Sequence, residues 1–318
     1  MAEPTKSSKL AALRRALPWV VGVVIIVVIA THVPFAQFRD SIGKGPHLRL
    51  ALAEIIMAFV ALSTDSFATW VGLRAAHVRW NLPRVVAVKG ATYLLQLINY
   101  AVGQGGLGYY LYRAGEPPLR AAGVTLFLLG TNLATLLLLT FGVWLTTGGV
   151  TNAPPAMWWF LVAGTVGFGL YLVVIALRFP FLARRDLLTP LFQSGLRGHA
   201  LAVVGRIPHV IVIVLAYWVA MRAWGLDVPF RAAAVLMPAV ALAGVLPISP
   251  AGLGTAQAAL VFFFADYAPG ATPDARSAAM LAFGIVHFVY AIAATLIIGL
   301  CCLPFTKRIP LALPQART

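Results

Sequence analysis

Ionisable residues lie inside long apolar stretches of the chain, among them Asp65, Arg206, His209 and His287. A charge at membrane depth is expensive, so it needs a partner and marks a pathway or a binding site. Asp65 is flanked by Ser63, Thr64 and Ser66, whose hydroxyls can donate to a carboxylate. Its other reading is a structural carboxylate paired with Arg206 or a hydroxyl. Arg206 and His209 are three residues apart and share a helix face. Arg206 reads as close to the inner end of its span, where it can snorkel to an anionic headgroup. His287 stands alone in its stretch, either as a satisfied histidine or as a proton carrier. Glu54 falls near the outer end of the Asp65 span and reads as solvated.

A second set of candidates surrounds two breaks. Gln96, Asn99 and Tyr100 precede the glycine-rich run Val102-Gly103-Gln104-Gly105-Gly106-Leu107-Gly108. The second run is Leu246-Pro247-Ile248-Ser249-Pro250-Ala251-Gly252-Leu253-Gly254. Glycine and proline at this density stop a helix. Non-helical backbone at membrane depth is tolerated only where it is buried in protein or lines a wet cavity. The half-helices at such breaks offer free N–H groups and a positive dipole end to an anion. Candidate binding residues are therefore Gln96, Asn99, Tyr100, Gln104, Gly105, Gly106, Gly108, Arg206, Ser249, Gly252 and Gly254. The competing reading is that the glycines serve only close helix packing. Gly103, Gly105 and Gly108 spell G-x-G-x-x-G, but a dinucleotide fingerprint needs a preceding strand and a βαβ unit.

The elements that must carry these residues follow from composition. Of 318 residues, 61% are apolar and 10% charged. Soluble domains average about 45–50% apolar and about 25% charged, which excludes a soluble enzyme or a disordered tail. The chain reads as an all-α, polytopic membrane helix bundle. Full spans are expected over residues 17–33, 50–73, 121–145, 156–177, 200–223 and 277–303. Residues 1–16 form a basic N-terminus, 17–303 a single membrane domain and 304–318 a tail.

There are 24 Lys+Arg against 9 Asp+Glu, a formal charge of +15. Between apolar spans this excess reads as the positive-inside bias rather than as a nucleic-acid footprint. Arg74, Arg79, Arg84 and Lys89 fall in one inner loop, and Arg178, Arg184, Arg185 and Arg197 in another. Both termini are then cytoplasmic. The uncharged loop 146–155 and the acidic stretch around Asp266 and Asp274 lie outside. These preferences agree only if each broken region, about 84–113 and 231–266, enters and leaves on one face. The expected architecture is six full spans and two opposed re-entrant helical hairpins, an inverted repeat such as secondary transporters use. The adjacent Cys301 and Cys302 read as small apolar residues, and the six histidines show no metal-ligand spacing.

Arg79-Trp80, Asn99-Tyr100, the glycine-rich break and Tyr112-Arg113, with the later run Leu246–Gly254, resemble the lysylphosphatidylglycerol synthase transmembrane, flippase-like family. The resemblance covers roughly residues 50–303. It implies translocation of phospholipid across a bacterial cytoplasmic (inner) membrane, and it adds Arg113 and Gln257 to the candidate binding residues. Two departures stand out. Gly103, Gln104 and Gly105 replace the family's usual proline and basic residue, and Gln257 occupies a position where the family usually has Glu. The two-domain synthases carry a soluble aminoacyl-transfer domain, and the short tail here supports no synthase activity. Membrane phospholipid is the expected partner, with no nucleic acid, no metal and no cofactor. Self-association into a homo-oligomer is left open. Two rivals remain: a membrane-embedded enzyme acting on a lipid-linked substrate, and a non-transporting scaffold. The chain has no Asp-x-Asp or His-x4-Asp, so no catalytic residue is assigned.

Overall fold

The structure, a computed structural model, describes residues 27, 31, 34–98, 100–150, 153–245 and 252–307. Every regular element among them is helical. A short helix α1 (Phe35–Gly43) precedes α2 (His47–Ala75), α3 (Leu82–Gln96) and α4 (Tyr100–Arg113). Then come α5 (Pro118–Thr147), α6 (Pro155–Leu177), the single turn α7 (Pro180–Ala183) and α8 (Thr189–Trp224). The chain ends with α9 (Phe230–Val245), α10 (Thr255–Phe264) and α11 (Pro273–Thr306). Five of these, α2, α5, α6, α8 and α11, are long and apolar enough to cross a membrane. The expected span 17–33 falls almost wholly outside the described residues, as do Asn99 and Ser249.

Local chemistry accounts for the boundaries. Asn81 Oδ1 accepts the Arg84 N–H at 3.0 Å and caps α3. Thr272 does the same for α11 through Ala275 N–H at 3.2 Å, with Pro273 in the first turn. Gly195 adopts φ 57° and ψ −173°, so α8 is kinked there. The 200–223 span thus belongs to a longer helix that starts at Thr189, within the stretch read as a basic loop.

The first broken region differs from expectation. The run 102–108 is helical throughout, inside α4, and the chain turns instead at Leu97 and Ile98. Glycine weakens a helix by only ~1 kcal/mol per residue relative to Ala. Here the missing side chains bring α4 against α3: a Cβ on Gly106 would lie 2.5 Å from Leu95 Cδ1, and one on Gly103 would collide with Gln96. The order of these contacts makes α3 and α4 an antiparallel hairpin. The second expected break falls largely on residues 246–251, which lie outside the described residues; α9 ends at Val245 before them and α10 begins at Thr255 after them. Beyond it Gly252 has φ 77°, and a Cβ there would meet Gly244 O at 2.6 Å, so only glycine fits. α9 and α10 form the second hairpin. With 15 and 14 residues, α3 and α4 are each shorter than the ~30 Å hydrocarbon core requires.

Apolar packing is divided between the two ends of the bundle. One core joins Leu73, Val85, Leu111, Val124 and Ile175, where α2 ends and α5 begins. The other joins Leu50, Met221, Leu236, Phe264 and Phe283, where α2 begins and α8 ends. Each hairpin roots its open end in one core. Polar groups collect between the two.

Candidate functional site

Asp65 of α2 is the centre of this middle layer. It is 5% exposed, and two cations hold it. Arg206 Nη1 of α8 lies 2.6 Å from Oδ1, and Lys89 Nζ of α3 lies 2.8 Å from Oδ2. The Tyr93 hydroxyl donates to Oδ2 at 3.3 Å, and Arg206 Nη2 donates to Thr69 Oγ1 at 3.4 Å. His209 Nε2 stands 3.9 Å from Oδ1, with its Nδ1 3.3 Å from Thr64 Oγ1. Thr64 itself donates to the carbonyls of Val60 and Ala61. These groups come from three helices, so the ion cluster ties the first hairpin to two spanning helices.

The charges do not cancel. One carboxylate faces a guanidinium and an ammonium, which leaves a net +1 with His209 neutral. A buried excess cation attracts an anion strongly because little water screens it. Beside the cluster is a cavity of about 80 Å³ lined by Tyr93, Gln96, Tyr100, Gln104 and Asn132. The buried Asn132 Oδ1 has no hydrogen-bond partner.

A second, wider cavity of about 340 Å³ adjoins it, and Gln96 and Tyr100 line both. Its wall brings together the two hairpin tips: Gln96, Leu97 and Tyr100 from the first, Gly244, Ala256 and Gln257 from the second. Tyr217 and His287 line it as well. His287 Nδ1 is 2.5 Å from Glu54 Oε1, and Glu54 is 8% exposed.

Several expectations change on these facts. Lys89, read as an inner-loop charge, is 3% exposed and buried on α3, because Asn81 and Pro83 start a helix well before it. Glu54, read as solvated, is buried because His287 reaches it across the bundle. Arg206 does not snorkel to a membrane surface: Asp65 holds it inside, one helix turn from His209. The helix-end donors are also partly spent, since Gly254 N–H donates to Gln257 Oε1 at 2.6 Å.

Among the candidates, Gln96, Tyr100, Gln104, Gln257, Arg206, Asp65 and His287 border the two cavities. Gly106 and Gly108 pack against Thr92 and Thr125, and Gly105 faces outward with nothing within 4 Å of a Cβ there. Arg113 lies at the far end of α4, over the Tyr109 ring at 5.8 Å. Gly252 and Gly254 shape the second tip. Lys89, Glu54, Tyr93, Asn132 and Tyr217 are the additions. The helix start at Asn81 and Pro83, eight and six residues before it, was the one signal available for Lys89. Among the described residues no cluster of three His, Cys, Asp or Glu could hold a metal.

No curated protein matches the chain. The lysylphosphatidylglycerol synthase TM region, however, matches over residues 15–295, which takes in both hairpins, the ion cluster and all five long helices up to most of α11. With nearly the whole chain covered, this multi-pass membrane protein belongs to the lysylphosphatidylglycerol synthase TM region family.

Proposed function

We propose that the chain binds a phospholipid by its phosphate between the two hairpin tips and carries it across the cytoplasmic membrane of a bacterium, as a flippase-like transporter and not as an enzyme. The carrying observation is the unbalanced cluster. Lys89 and Arg206 outnumber Asp65 beside two adjoining cavities at mid-bundle. A phosphodiester supplies the one missing negative charge. The larger cavity has room for the rest of a headgroup. In this reading the hairpins are re-entrant from opposite faces, the inverted repeat is real, and both termini are cytoplasmic. Separate packing of the hairpins' open ends into the two cores supports this arrangement.

The test is reconstitution into liposomes with traces of head-labelled anionic and zwitterionic phospholipids. Protein-dependent crossing that Lys89→Met slows is the expected result. Crossing no faster than in empty liposomes, for every headgroup, removes the transporter reading. The enzyme alternative would draw on His209 beside Thr64. It gains only if a lipid-linked substrate is turned over and His209→Ala abolishes that turnover while lipid crossing persists.

A further inference from the structure

Glu54 and Asp65 are about three helical turns apart on one face of α2, and Tyr217 and Arg206 repeat that interval on α8. The bundle therefore carries two polar layers roughly 16 Å apart, joined by the cavities that Gln96 and Tyr100 share. The layers differ in kind. Asp65 is held by two permanent cations, whereas Glu54 has only an imidazole, His287, as its ion-pair partner among the described residues. We propose that the Glu54–His287 pair is a proton-binding site, and that it couples proton movement to movement of the phosphate-bearing ligand in the same direction. The coupling part rests on the transport reading above; the proton site does not.

The surroundings favour a proton over other cations. From α8, Tyr217 places its ring centroid 4.7 Å from that of His287, and Phe283 of α11 stacks at 5.5 Å. α9 contributes Gly244 and α10 the neutral Gln257, while α3 and α4 contribute Gln96 and Tyr100. Further toward the start of α2, His47 bonds the Tyr290 hydroxyl at 3.1 Å. No lysine or arginine pairs with Glu54 among the described residues. The 2.5 Å Oε1–Nδ1 separation leaves no space for a metal ion between the two groups. Alkali and alkaline-earth cations also want several oxygen ligands, and one carboxylate is offered. His287 lines the wider cavity, so water there can deliver a proton to the pair.

Charge balance supplies the coupling. With Glu54 ionised and His287 neutral the pair carries −1, and one added proton brings it to zero. The anion site carries +1 when empty and zero when a phosphodiester fills it. Empty and deprotonated sums to zero; loaded and protonated sums to zero. The two mixed states bury a net charge in the bilayer and are disfavoured. Ligand and proton then bind and leave together.

Two measurements decide this. The first needs no transport: acid-minus-alkaline infrared difference spectra of the purified protein in detergent, for wild type, Glu54→Gln and His287→Gln. A protonation band in wild type, of carboxyl or of imidazolium, that both Glu54→Gln and His287→Gln remove or shift establishes the site. Absence of both bands, or their survival unchanged in Glu54→Gln and His287→Gln, overturns it. The second imposes a pH gradient on proteoliposomes holding a trace of labelled phosphatidylglycerol. At one proton per lipid, each unit of gradient skews the label between leaflets about tenfold. Wild type should approach that skew toward the alkaline side, and both variants should equilibrate the label evenly. Even distribution by a wild-type protein that does move lipid overturns the coupling. If the band is present and no lipid crosses, the transporter reading falls and the proton site stands.

Discussion

Lys89 of the first hairpin grips Asp65 of the spanning helix α2 at 2.8 Å, with both side chains over nine-tenths buried. The contact joins a half-helix to a full span at the level where Arg206 of α8 takes the other carboxylate oxygen. Three helices thus meet on one group. Removing the carboxylate would leave two buried cations with no counter-charge, whereas removing one cation leaves a balanced pair.

That asymmetry sets the first prediction. Asp65→Asn should destabilise the folded protein by about 3–5 kcal/mol, the range seen when a buried pair loses one partner. Lys89→Met keeps the Asp65–Arg206 pair intact and buries one charge fewer, so its effect on stability should stay within about 1 kcal/mol. Thermal unfolding in detergent, followed by tryptophan fluorescence, compares the two. A Lys89→Met protein as unstable as Asp65→Asn would mean that the cluster is not net cationic.

The same substitution separates stability from binding. Lys89→Met brings the site from +1 to zero and should weaken binding of a short-chain anionic phospholipid about tenfold, equivalent to ~1.4 kcal/mol. Isothermal titration of the detergent-solubilised protein measures it. Arg113→Met, at the far end of α4, should leave the affinity unchanged. Equal losses from both would move the binding site off the cluster.

How far these groups could be read without coordinates depends on what each one needs. Asp65 with Arg206 was legible, because a carboxylate in an apolar run demands a cation and few are at hand. Lys89 was not, since a basic residue just past Arg79 and Arg84 looks like one more loop charge. Its neighbours Val85, Val88 and Ala91 are all buried, and only the Asn81 cap marks the helix that carries it inward. The turn of the first hairpin was misplaced for a related reason. Its bend at Leu97 and Ile98 contains no glycine or proline, while the glycines sit in α4 where close packing on α3 uses them. Glu54 and His287 are 233 positions apart, and no local pattern links them.

Glycines therefore carry two different duties, and alanine substitutions tell them apart. Gly105 sits on the open face of α4, so Gly105→Ala should raise helix stability by up to about 1 kcal/mol and leave lipid binding alone. Gly252→Ala forces a side chain into a left-handed turn and against the Gly244 backbone. A loss of about 1–3 kcal/mol is expected, together with a distorted second tip. Thermal unfolding and the titration above read both. A tolerated Gly252→Ala would show that the second tip is not closely packed on α9.

The proposed opposed insertion of the hairpins makes the last prediction, because it would fix which loops share a face. Pro117, between α4 and α5, and Ala271, between α10 and α11, are both exposed and lie beside opposite cores. If the first hairpin enters from the cytoplasm and the second from outside, a cysteine at 117 faces in and one at 271 faces out. The native Cys301 and Cys302 are free thiols and must first be replaced by serine. In intact cells an impermeant maleimide should then label Ala271→Cys alone, and Pro117→Cys should react only after the membrane is opened. Labelling of both from outside would place the two open ends on one face. The hairpins would then run parallel, and their tips could not meet at mid-bundle from opposite sides.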